Sequence, residues 1–125
     1  MTPRQPLPAR RPSVTVQTAW QGHLVTVTVG MRLDGAPAEV FADTVKGGDL
    51  QQVIGDACVL ISLALQHGIL PVALAKSLGR VPVLGCGETA PASPIGAILE
   101  VVLGSDEILA GIAGAVAQET VGCAP

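Results

Sequence analysis

Two short segments alternate valine with threonine or glutamine, Ser13-Val14-Thr15-Val16-Gln17-Thr18 and Leu24-Val25-Thr26-Val27-Thr28-Val29. A period of two puts the valines on one face and the hydroxyls on the other, as a half-buried antiparallel strand requires. Gln21-Gly22 between them predicts a hairpin, and Leu33-Asp34-Gly35 predicts a second turn. A third short strand follows at Glu39-Val40-Phe41-Ala42-Asp43. Three such strands form a meander that is unstable in water until a second layer covers its apolar face.

The cover is expected from helices. Gly47-Gly48 interrupts the chain, Asp49 is placed as an N-cap, and the helix it opens runs to His67, where Gly68 stops it. Leu50, Val53, Ile54, Ala57, Leu60, Ile61, Ala64 and Leu65 are the expected core-facing stripe. The far side starts polar with Gln52 and Asp56 but carries Val59 and Leu63, which also call for cover. Ile69-Leu70-Pro71 opens a short helix ending at Leu78-Gly79. Residues 79–92, rich in Gly and Pro, read as a loop. Ser93-Pro94 opens a helix through Leu103 with Ile95, Ile98, Leu99 and Val102 on one side, Gly104 ends it, and Ser105 opens a last helix of small residues. The expected fold is therefore α+β, a three-stranded antiparallel meander covered by three to four helices. It divides into a Pro/Arg-rich flexible leader (1–12), the α+β domain (13–104) and a C-terminal helix and tail (105–125).

Composition narrows the function. The 125 residues include one Trp, one Phe and no Tyr, so platforms for stacking bases are nearly absent. Arg4, Arg10 and Arg11 crowd the leader, which leaves four cations against ten acids on the rest; such a surface repels phosphate backbones. No nucleic acid is expected as a partner. No apolar run approaches the ~20 residues of a membrane helix, and no secretory signal opens the chain, so no membrane partner is expected and a cytoplasmic location is. Cys58, Cys86 and Cys123 are far apart with no CxxC pair, which argues against a metal site. Cys58 is expected to be a buried small hydrophobe, and Cys86, between two glycines, the exposed thiol. His23 and His67 have no nucleophile or acid placed beside them, and no catalytic residue is assigned.

The candidate contacts for a partner or ligand are Glu39, Phe41 and Asp43 on one strand face, Lys46 after it, and Gln66 and His67 at the helix end. The uncovered Val59 and Leu63, together with the free sheet edges, lead us to expect a homodimer.

A resemblance adds to this. Arg11, Gly22-His23-Leu24-Val25, Asp34-Gly35, Glu39-Val40-Phe41-Ala42-Asp43, Lys46-Gly47 and Ile61 to Ile69, in that order, resemble the C-terminal TSCPD domain of bacterial adenosylcobalamin-dependent (class II) ribonucleotide reductases. Glu39-Val40-Phe41 is close to the family's Glu-Ile-Phe-Ile, and Ser62 to Gly68 to its Ser-Leu-Gly-Leu-Gln-Tyr-Gly. Ala92-Ser93-Pro94-Ile95-Gly96 looks like the final helix of small stand-alone proteins of this type. The cysteine motif behind the domain's name has no counterpart here, and Val81-Pro82-Val83-Leu84-Gly85 replaces an aromatic and Arg-rich segment. In those reductases a large barrel carries the radical chemistry and adenosylcobalamin, and 125 residues cannot hold one. The resemblance thus implies no cofactor bound by this chain and no reductase activity on its own. It implies an accessory or interaction module tied to deoxyribonucleotide synthesis, with a reductase or another protein as partner. The alternatives are a detached subunit of a split ribonucleoside-diphosphate reductase and a small-ligand or nucleotide-binding protein.

Overall fold

The computed structural model describes residues 3–5, 12–45 and 48–111, with side chains described as far as Ser105. Strands β1 (Ser13–Trp20), β2 (His23–Met31) and β3 (Pro37–Thr44) form an antiparallel sheet in the order β1-β2-β3. Helix α1 (Asp49–Gln66) and the short α2 (Pro71–Ala75) follow. A two-stranded ribbon, β4 (Arg80–Pro82) with β5 (Thr89–Pro91), leads into α3 (Pro94–Gly111). The fold is α+β, as expected.

The β1–β2 hairpin is closed by Gln21 and Gly22, both at positive φ (46° and 81°). That is the turn whose twist matches the flanking strands. Register Val14↔Val29, Val16↔Val27 and Val29↔Val40 stacks the valines on one face, while Thr15, Gln17, Thr26 and Thr28 stand on the other. There Thr15 and Thr28 share a hydrogen bond of 3.0 Å. Against the valine face pack Ile54, Cys58, Ile61 and Leu65 of α1 and Ile98, Leu99 and Val102 of α3.

Several boundaries differ from expectation, each for a physical reason. Asp49 is the first residue of α1 and Gly48 occupies the cap position, with no side-chain cap bond. Val53 and Leu60 lie outside the core, exposed by 53% and 68%. The buried stripe turns instead through Ile54, Cys58, Ile61 and Leu65, with Leu50 half-buried against it, because one flank of α1 leans on the edge of β3 rather than over the sheet. Gly68, at φ 90°, ends the helix as predicted: its N–H donates to Leu65 O and that of Ile69 to Ala64 O.

The supposed loop 79–92 holds the β4–β5 ribbon, whose three-residue strands are too short to show a period. Trp20 Nε1 donates to Pro91 O (3.3 Å), tying that ribbon to the first hairpin. Ser93 caps α3 as expected, accepting from Gly96 N at 3.2 Å. Gly104, however, does not end α3. The helix continues to Gly111, and Ser105, instead of opening a new one, is buried and donates its hydroxyl to Val102 O. A helical glycine costs only about 1 kcal/mol, which docking of the apolar side of α3 overrides. Over the described residues the two helices expected from the sequence are thus one, and the remainder of the expected C-terminal helix and tail, 112–125, lies outside the described residues. Of the leader, residues 3–5 are described, and Gln5 N donates to Gln66 O at the end of α1.

Candidate functional site

The outer edge of β3 faces α1, and the two run antiparallel. An uncovered edge offers a row of unpaired N–H and C=O groups; here polar side chains on one flank of α1 meet them. Gln66 Nε2 donates to Ala38 O (3.0 Å). Ser62 Oγ accepts from Val40 N (2.9 Å) and donates to Val40 O (3.3 Å). Gln51 Oε1 accepts from Thr44 N (2.8 Å), and its Nε2 donates to Ala42 O (3.3 Å). Ala38 and Val40, two apart on the strand, are matched by Gln66 and Ser62, about a turn apart on the helix, and Gln51, three turns earlier, reaches Ala42 and Thr44, so side chains of the helix flank cap this edge.

Gln66 is the hub. It is 5% exposed, and its Oε1 accepts from Arg4 Nε at 2.6 Å. Its backbone carbonyl accepts from Gln5 N and from Arg32 Nη2. The free carbonyl at a helix C-terminus favours such cations.

Above this seam lies a groove of roughly 590 Å³. One wall is the outer rim of β3 with Glu39, Phe41 and Asp43; the other is Val59 and Leu63 of α1; Gly55, Cys58 and Ser62 form part of the floor. Phe41 is 57% exposed and Val59 58%. Four of the six expected site residues, Glu39, Phe41, Asp43 and Gln66, therefore line one groove. His67 does not line it; it is the C-cap of α1. Lys46 lies outside the described residues. Val59 and Leu63, expected beneath a covering layer, are a groove wall. Sequence reasoning missed Gln51, Ser62 and Arg4. Gln51 and Ser62 could have been found as polar positions on the helix flank next to the buried stripe. Arg4 offered no signal, since only folding brings it to Gln66.

Cys86 is not the free thiol expected of it: it is half-buried and disulfide-bonded. Cys58 is the free, buried one. Burial, with a smaller contribution from the Asp43 carboxylate, pushes its thiol from 9.0 up to about 11. The unfolded chain therefore ionises this thiol at lower pH than the folded one does. The stabilising effect is whole below pH 9 and is lost as pH rises towards 11. The linkage amounts to roughly 1–3 kcal/mol. Urea melts should show that loss between pH 9 and 11, and Cys58→Ala should remove this part of the pH dependence. An unchanged pH profile in the variant would refute the assignment.

Among the described residues no group of three or more His, Cys, Asp or Glu side chains could hold a metal ion, and no helix is long and apolar enough to cross a membrane. No curated protein and no solved structure matches the chain. The family model of the TSCPD domain, a domain found in class II ribonucleotide reductases, matches residues 1–118. Its span takes in the sheet, the helical edge seal and the groove, and the chain belongs to the TSCPD domain family.

Proposed function

We propose that this chain is a non-catalytic docking module of deoxyribonucleotide synthesis, a cytoplasmic accessory that grips a class II reductase or a protein that serves one. The observation that carries the reading is the make-up of the groove, an apolar cleft with carboxylates on its rim. Its polar floor groups, Gln51, Ser62 and Gln66, are taken up by the backbone of β3. Its other lining residues include Phe41, Val59 and Leu63, the two acids Glu39 and Asp43, and Arg4 beside Gln66. An apolar cleft rimmed by carboxylates suits a protein segment with a large apolar side chain beside a cation, the arrangement of an interface hot spot. The two acids outnumber the one cation of the lining, Arg4, and this balance favours a cationic partner over a phosphate. No cofactor is assigned to this chain, and adenosylcobalamin belongs to the full-length relatives.

The test uses a class II reductase core lacking its own TSCPD domain. Calorimetry should detect binding of this chain, and Phe41→Asp and Val59→Asp should each weaken it at least tenfold, about 1.4 kcal/mol, with unchanged melting temperatures. Absence of binding by the unmodified chain would sink the proposal. Deoxynucleotide formation appearing only in the mixture would favour the detached-subunit reading.

The size of the groove supports a second reading, a small-ligand site, since such pockets span roughly 300–1,000 Å³. A thermal shift across a nucleotide and metabolite panel separates it from docking, because a ligand at 100-fold its Kd adds about 2.7 kcal/mol.

A further inference from the structure

The two edges of the sheet are treated differently. The β3 edge is sealed by α1, whereas among the described residues no element pairs with the outer edge of β1. Because Val40 turns its N–H and C=O to Ser62, the pairs of β3 with β2 that exchange bonds are those of Glu39, Phe41 and Asp43. The alternation then carries across β2, so that Val14, Val16 and Thr18 bond to it. Ser13, Thr15, Gln17 and Ala19 are left with N–H and C=O pointing outward, and all four are exposed.

Exposed edges are ordinarily guarded by a charge, a proline, a bulge or a cover. Ser13–Trp20 has no charged residue and no proline, and its register with β2 is unbroken. We infer that β1 pairs antiparallel with β1 of a second copy of this chain, giving a continuous six-stranded sheet about a two-fold axis at Val16.

This register is argued from parity. Centring on Val16 sets Ser13 opposite the partner's Ala19 and Thr15 opposite the partner's Gln17, so all four outward-facing positions find a partner. Val14 then faces the partner's Thr18, and Val16 its own copy, so both valine faces stay on one side. The Thr15–Gln17 contact continues the polar ladder formed by Thr15 with Thr28 and Gln17 with Thr26. A strand paired with itself sets any charge near its own kind at the axis; here there is none, and the edge is self-complementary. A two-fold interface is also the commonest closed assembly. The groove lies at the opposite edge, so both copies keep it open.

Sedimentation across a wide concentration range should show a monomer–dimer equilibrium. Gln17→Pro removes a donor that the monomer does not use, and an edge strand tolerates it; it should abolish the dimer while leaving the melting temperature of dilute protein in place. Thr15→Lys with Gln17→Lys should also abolish it, since the register sets lysine against lysine. Thr15→Lys with Gln17→Glu should restore or tighten it at least tenfold. A monomer at every concentration, a dimer indifferent to Gln17→Pro, or two charge pairs that behave alike would each overturn the inference. None of these outcomes bears on the groove, which Phe41→Asp tests separately.

Discussion

Gln66→Leu should destabilise the protein by about 2–3 kcal/mol and lower its melting temperature by roughly 10 °C. Leucine matches the volume of glutamine but can neither donate nor accept. The Ala38 carbonyl would then be buried without a donor, since Ala38 is fully buried, and a stranded buried acceptor loses its full solvation. The bond to Arg4 goes as well, but that residue is exposed and contributes little. Arg4→Ala alone should therefore change stability by less than about 0.5 kcal/mol. The contrast between the two variants assigns the effect to the seam between α1 and β3. Equal losses in both, read from urea melts, would show that the leader contact rather than the edge seal is what Gln66 provides.

The same residue shows what could be read from the sequence. Alternation at Ser13–Thr18 and Leu24–Val29 revealed the first two strands because period two has no helical rival, and Gly22, Gly35 and Gly68 marked turns that need positive φ. Glu39, Phe41 and Asp43 were legible as one strand face for the same reason. The role of Gln66 was not legible. At the end of an apolar helix it looks like an exposed contact, and only the packing of α1 on a strand edge turns it inward. The stripe of α1 was misjudged for that reason too: Val53 and Leu60 fit a helix lying flat on a sheet, whereas this helix leans over a border and needs Gln51, Ser62 and Gln66 there. Gly104 misled because a glycine reads as a stop, although docking of the surrounding apolar side holds the helix through it.

Ile98→Ala should be the most damaging single change, costing about 4 kcal/mol of a total that for such domains is commonly 5–15 kcal/mol. Ile98 is fully buried and belongs to the cluster with Val14, Val27 and Val29 that joins α3 to the sheet. Truncation removes three carbons and leaves a void between a helix and a pleated surface, neither of which can close on it. The helix makes the loss worse than transfer alone. It carries Gly96, Gly104 and Gly111, and its intrinsic preference is low. Its stability therefore comes from docking. Hydrogen exchange should show α3 opening before the sheet in the variant, with the amides of β2 protected longest. Leu103→Ala, on the exposed side of the same helix, should stay within about 0.5 kcal/mol of the parent. If the two variants lost similar stability, α3 would be held by its own helix propensity and not by the valine face, and the packing argued here would be wrong.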